Sequence, residues 1–334
     1  MSKGIIGVDL GVGSIKVVSL AKDGDKIVLE NIGEVKTPKF EKISDLSLVL
    51  KNLIKEMKLE GSQAVVSLPE DKIVSRLVSL PPLKESEIKD ALRFEAETFV
   101  PFPLDEVSID YEVISTDDAG RLSIFAIAAR NDLISDYVKL FKNCGVELEA
   151  IESTSLSLKR LVNQMVIDST SIMILDIGEK FSDIISLHNS NIFFARSLPV
   201  GGESLTRAIS VNLGLDMASA EEYKKAYGMK EMELEGKIKN AIMPVFESIS
   251  EEVRRAIAMY VESHNKSVNL LVLSGGGAKL PGLAEELTKK LGVEVQVMQP
   301  FLRIDVTKVV IPIDLNLDGY RFSVATGSAL KTLL

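Results

Sequence analysis

The 334 residues are enough for one large core or two ordinary ones, and a balance of 46% hydrophobic to 26% charged residues is that of a globular chain. A net charge of −9 argues against the basic face that nucleic-acid binding requires, and one cysteine with two histidines excludes a disulfide framework and a Cys/His zinc cluster. The N-terminus lacks a secretory apolar run, and no stretch approaches the ~18 apolar residues of a membrane span. The expectation is a cytoplasmic chain that meets a membrane only through a partner.

Residues 5–20 (IIGVDLGVGSIKVVSL) read as a strand, a Gly-rich turn and a second strand. Ser44 to Met57 then places Leu46, Val49, Leu50, Leu53, Ile54 and Met57 on one helical face. Residues 64–68 form an expected strand running into Pro69, and Pro81 and Pro82 break the chain. Ser86 to Thr98 is an amphipathic helix with Ile88, Ala91, Leu92 and Ala96 inward. Strands near 107–114 and 122–129 and a helix near 132–143 complete an insert placed at about 83–152. Within it, Cys144 beside Phe141 and Val146 reads as a small buried hydrophobe.

Residues 172–187 (IMILDIGEKFSDIISL) repeat the first hairpin, with Asp176 lying 167 positions after Asp9. A helix over 203–212 ends at Gly214, and Ser219 with Glu222 has the spacing of a capping box that opens the next helix. A long helical stretch follows over 234–263, with Pro244 as an expected break or kink. Residues 270–273 are a buried strand, and 285–291 a short helix after a Gly-rich loop. His188 and His264 read as ordinary surface or turn residues. Alternating strands and helices indicate α/β layers. A hairpin repeated once per half suggests two similar domains about a pseudo-twofold axis, and chance likeness of two buried hairpins is the competing reading. The expected division is 1–165 with the insert, 166–310 with a helical subdomain at 203–266, and a return to the first domain over 311–334.

Asp9, Gly11, Gly13, Ser14 and Lys16 make a turn whose bare backbone and polar donors suit an anion. Asp176, Gly178 and Ser182, with Asp183 beyond, repeat its head from the other half. Two such loops facing each other would grip a polyphosphate, and the carboxylates of Asp9 and Asp176 suit Mg²⁺ held largely through water. Gly275, Gly276 and Gly277, with Lys279 close by, follow an apolar strand and would let a flat ring or a phosphate lie on bare backbone. A plain flexible loop is the alternative. Glu221 and Lys224 share a helix face and would bracket a ribose; otherwise they are a surface ion pair worth under about 1 kcal/mol. Glu152, just ahead of a helix, would orient a water, or else is an acid favoured by the helix dipole.

In this order the motifs resemble the superfamily of actin, sugar kinases and DnaK-type chaperones. The resemblance implies an α/β, actin-like ATPase fold of two RNase H-like domains, with ATP or ADP and Mg²⁺ in the cleft between them. It makes the Asp9 and Asp176 loops the two phosphate loops, Ser274 to Ala278 the adenosine motif, and Glu221 and Lys224 the ribose and base contacts, with Gly202 and Glu203 also at the nucleotide. Ala325 to Ala329 resembles the helix that links the domains, and Ser182 stands where Thr is usual.

The insert narrows the resemblance. Glu95-Ala96-Glu97, Val100 to Val107 with its Pro-Phe-Pro run, Asp110-Tyr111, and Val200-Gly201-Gly202-Glu203 with Thr206 resemble the type IV pilus assembly protein family PilM. That family is similar to the cell-division protein FtsA, with its extra subdomain. The resemblance implies an ATP-binding adaptor at the inner membrane with slow or no hydrolysis, docking the N-terminal tail of PilN. Other pilus components and self-association remain open. Pro101 and Pro103 have a plainer reading as loop stiffeners. Two rivals stand beside the adaptor. One is a small-molecule kinase of the same fold, for which no acceptor-binding motif is evident. The other is a filament-forming FtsA-like tether, for which the last residues are too short and carry only Lys331.

Overall fold

A computed structural model describes residues 4–165, 171–231, 233–309 and 313–334. Three sheets organise the chain. The first is built from β1 (Ile5–Leu10), β2 (Ser14–Asp23) and β3 (Lys26–Lys36), then, after α1 (Ser47–Glu56), from β4 (Gln63–Leu68). A separate three-stranded sheet follows. It is made of β5 (Ile73–Leu80), β6 (Val107–Thr116) and β7 (Leu122–Arg130) in the order β5-β7-β6, with α2 (Glu85–Ala96) packed on it. The chain then returns through α3 (Asn131–Asn143) to β8 (Glu147–Ser153), which pairs in parallel with β4. The first sheet therefore has the order β3-β2-β1-β4-β8.

After α4 (Thr154–Gln164) the pattern repeats with β9 (Ser171–Ile177), β10 (Ser182–His188) and β11 (Asn191–Leu198). Three helices follow: α5 (Gly202–Leu213), α6 (Met217–Tyr227) and α7 (Lys237–His264). The second sheet is completed by β12 (Leu270–Ser274) and, after α8 (Leu283–Leu291), by β13 (Glu294–Val297). Its order, β11-β10-β9-β12-β13, reproduces the first sheet strand for strand. The chain closes with α9 (Leu315–Asp318) and α10 (Ser323–Ala329).

The central strands are apolar almost throughout because both faces are covered. Along β1, Ile6, Val8 and Leu10 face the core under α1 and α3, whereas Ile5 faces the opposite layer. Along β9, Met173, Leu175 and Ile177 join the core of α5 and α7, and Ile172 and Ile174 face the other way. That shared middle layer holds α4 and α10, so both helices lie between the two sheets. Close approach demands a glycine there: a Cβ on Gly7 would overlap the Ala325 carbonyl oxygen of α10.

Four sequence expectations change. The separate sheet occupies Ile73 to Arg130 rather than 83–152, because β5 pairs with β7, while Tyr137, Leu140 and Phe141 of α3 enter the first domain's core. The cap of α6 is Asp216, whose carboxylate accepts from the amides of Ala218 and Ser219, one turn ahead of the expected Ser219 box. The long helix α7 continues across Pro244, so the proline makes no break. His188 and His264 lie against each other, their ring centroids 4.1 Å apart and their planes tilted by 31°, beside Phe193 and Tyr260, and the Tyr260 hydroxyl lies 2.7 Å from His188 Nδ1. Cys144 is buried as expected.

Candidate nucleotide site

Each half presents a hairpin turn at the same end of its sheet. In the first, Asp9 faces Lys16 across β1 and β2, and Lys16 Nζ lies 3.2 Å from Asp9 Oδ2. The turn is braced by Thr37, a residue sequence reading missed. Its hydroxyl donates to the Gly11 carbonyl at 2.6 Å and its amide to that of Gly13 at 3.1 Å. No periodic pattern marks Thr37, which follows the last residue of β3.

The second hairpin places Asp183 opposite Asp176, where the first has Lys16 opposite Asp9. Asp176 therefore lacks the facing cation of its counterpart. Burial, followed by the nearby charge of Asp9, raises its carboxyl to about 6. Asp183 is raised well above the ordinary value by burial first, then by the charges of Glu70 and Asp176. One oxygen of each, Oδ1, is buried without a hydrogen-bond partner. Orphaned buried carboxylate oxygens fit a divalent cation. Among the described residues there is no cluster of three or more ligands able to hold one alone. That donor set suits Mg²⁺, which keeps several waters and takes its remaining ligands from substrate phosphates.

The strand end at Ile177, Gly178 and Glu179 is the hub of the site. The Gly178 carbonyl accepts from the Gly202 amide at 2.9 Å, and the Glu179 carbonyl from the Glu203 amide at 2.8 Å. The Ile177 carbonyl accepts from the Gly277 amide at 2.9 Å. Opposite, a Cβ on Gly13 would run into the Glu179 carboxylate, so the two turns face each other across a narrow gap. Beyond Gly202, the Lys224 ammonium donates to the Gly202 carbonyl at 3.0 Å and to Thr206 Oγ1 at 2.8 Å, and lies 2.6 Å from Glu221. Thr206 also donates to Glu221. Burial opposes the charge on Glu221, but Lys224 and Thr206 outweigh it and hold the carboxyl below its ordinary value.

The three glycines divide their work. Gly275, at φ +76°, and Gly277 are pressed against Ile177, whereas a Cβ on Gly276 would meet nothing within 4 Å. Only Gly276 offers bare backbone to open space.

The structure brings together Asp9, Gly11, Gly13, Ser14, Lys16, Asp176, Gly178, Gly202, Glu221, Lys224 and the glycine loop. It leaves four expected side chains elsewhere. Ser182 spends its hydroxyl on the Val200 carbonyl at 2.7 Å. Glu203 pairs with Arg207, one turn along its own helix. Lys279 donates to the carbonyls of Asn316 and Leu317, at 2.8 and 2.9 Å. Glu152 is not free to orient a water. Its buried carboxylate accepts two bonds from Arg160, at 2.8 and 2.7 Å, and one from Ser157 at 2.6 Å.

Glu70, missed in the sequence, is buried beside this region and accepts from the Ser155 amide at 2.8 Å. Burial lifts its carboxyl from 4.5 to about 7. Between those values the folded state holds a proton that the unfolded chain has released, so stability falls as pH rises through this window. The loss amounts to about 3 kcal/mol. Glu70→Gln keeps the acceptor for Ser155 and removes the titration. Urea unfolding of the metal-free protein should show the variant more stable than the parent at pH 8, with the two converging near pH 4.5. Equal stability at both pH values would contradict the assignment.

The family model for type IV pilus assembly protein PilM matches residues 7–333. Among solved structures, a PilM-PilN type IV pilus biogenesis complex is similar to this chain with a TM-score of 0.88 and 25% identity, covering 99% of each chain. The ethanolamine utilization protein EutJ of Carboxydothermus hydrogenoformans is similar at TM-score 0.57 and 16% identity, over 97% of this chain and 88% of that one. MreB 5 of Spiroplasma citri, solved with AMPPNP, is similar at TM-score 0.56 and 14% identity, over 100% and 97%. At such identities the last two show the fold alone, and together the matches make it an actin-like ATPase fold.

Proposed function

This chain belongs to the type IV pilus assembly protein PilM family, and from that membership we propose that it is an ATP-binding adaptor that docks the N-terminal tail of a PilN-like partner. Its place would be the cytoplasmic face of the inner membrane, reached through that partner. No helix among the described residues is long and apolar enough to cross a membrane, which is consistent with this reading. The observation that carries the partner is the similarity, over nearly the full length, to the protein solved as a PilM-PilN complex.

The nucleotide half rests on the facing turns. Lys16 and the backbone of both turns would hold the phosphates, and Asp9 and Asp176, with Asp183, would meet Mg²⁺, which neutralises phosphate charge when bound. Glu221 and Lys224 would meet the ribose, and Gly276 the base. Glu152, the residue expected to orient a water, is saturated by Arg160 and Ser157 instead, which favours slow hydrolysis or none.

The tail would lie where the first domain passes into the separate sheet. There a cleft of about 400 Å³ is lined by Glu70, Asp71 and Ile73 on one side and by Phe181, Arg196 and Ser197 on the other. Residues from both halves line it, so closure around nucleotide would change its width.

The test is fluorescence anisotropy of a labelled PilN-type tail peptide with and without Mg-ATP, beside calorimetry of Mg-ATP binding. Saturable binding at micromolar level or tighter is expected, with an affinity that shifts when nucleotide is added. Asp176→Ala should weaken Mg-ATP at least about tenfold, a 1.4 kcal/mol change. Equal peptide affinity in both conditions would remove the coupling. Unchanged Mg-ATP affinity in the variant would remove the site.

A further inference from the structure

Phe94 stands outside the packing of the molecule. Helix α2 buries Ile88, Leu92 and Ala96 against the three-stranded sheet, and Phe94 belongs to neither apolar cluster there. It is 72% exposed. Helical spacing explains the direction: Glu87, Asp90, Phe94 and Glu97 recur at three- and four-residue steps and form one ridge opposite the buried face. All four are exposed. Residues 85–97 carry five carboxylates against two cations, Lys89 and Arg93. Beyond the helix the chain also exposes Phe102, between Pro101 and Pro103.

We propose that the outer face of α2 docks a cationic segment of another protein, one apolar side chain flanked by Lys or Arg. The apolar group would cover Phe94 while its neighbouring cations meet Asp90 and Glu97. An aromatic anchor inside a charged rim is the usual anatomy of a binding hot spot. An arginine of the partner gains further by lying over the ring. Charge decides the class of partner: the same carboxylates repel anionic lipid and nucleic acid. They also repel the identical ridge of a second copy, which a twofold contact would bring face to face. None of these residues lines the cleft assigned to the tail, so this surface stands independently of that assignment.

The probe is a labelled synthetic peptide of about four helical turns, with leucine on one face and lysine beside it. Its control carries glutamate in place of lysine. Both are titrated against the full chain by fluorescence anisotropy. The lysine peptide is expected to bind, and the glutamate peptide is not. Phe94→Ala and Asp90→Lys should each weaken the lysine peptide about tenfold, as hot-spot truncations do. Affinity should also fall as salt brings the screening length below about 10 Å.

Unchanged lysine-peptide affinity in Phe94→Ala would overturn the proposal, as would equal binding of the two peptides. So would a dimer in sedimentation that dissolves in Phe94→Ala, which would make the occupant a second copy. Binding to phosphatidylglycerol vesicles that is lost in the same variant would make it a membrane. Phe94→Ala should keep the parent's melting temperature and its affinity for the PilN-type tail, so failure here and failure of the tail site are read separately.

Discussion

Replacing Arg160 by alanine is expected to lower the unfolding free energy by about 3–5 kcal/mol, as breaking one partner of a buried ion pair does. The Glu152 side chain is 2% exposed, and Arg160 holds both of its oxygens. The guanidinium also donates to the Gly327 carbonyl, so one residue of α4 ties β8 to α10. Beside it, the hydroxyls of Ser67, Ser157 and Ser328 meet within 2.8–3.0 Å, joining β4, α4 and α10. Without Arg160 the carboxylate keeps Ser157 and only the more distant Lys331, at 3.3 Å. Urea denaturation measures the loss. Adding Glu152→Gln to the Arg160 variant should recover part of it, because the buried charge is then gone. A loss below about 1 kcal/mol would mean that Lys331 moves in to replace Arg160, and the clamp would not be specific.

The second large effect is at Gly7, where alanine is expected to cost about 3 kcal/mol or more, at the upper end of overpacking penalties. Both obstacles are backbone. The new Cβ would overlap the Ala325 carbonyl oxygen and lie 2.5 Å from the Ala329 amide nitrogen. Neither atom can swing aside as a long side chain does, so β1 and α10 must separate. Gly276→Ala is the matched control, since its Cβ meets nothing within 4 Å, and it should change stability by less than about 0.5 kcal/mol. Thermal or urea unfolding of the two variants decides the matter. A Gly7→Ala protein as stable as the control would mean that α10 does not pack on β1 as described.

The hairpins and the layered class were legible because burial on both faces writes itself as a nearly continuous apolar run, as in IIGVDL and SIMILDI. The equivalence of Asp9 and Asp176 was legible for the same reason, since the two sheets share one strand order. The insert's boundaries were harder to read. Residues 73–80 form an edge strand that satisfies the same composition in either sheet, and only its pairing with β7 assigns it. The Asp216 cap was overlooked because Ser219 offered a competing signal three residues on.

The sequence by itself determined two α/β halves with equivalent turns, glycines where backbone must approach backbone, and a family signature over nearly the whole length. Local spacing suffices for these, because strand period, turn chemistry and motif order are properties of neighbours along the chain. Tertiary structure alone decided which polar side chains remain free. Ser182, Lys279 and Glu152 looked like site residues, yet each is bound to a group remote in sequence or drawn from another element: Val200, Asn316 and Arg160. Asp176 and Asp183 keep orphaned oxygens instead, because the position that faces Asp9 with a lysine faces Asp176 with a second carboxylate. A buried polar group is committed or left free by whatever the fold brings within about 3 Å, and that distance is not encoded by position in the chain.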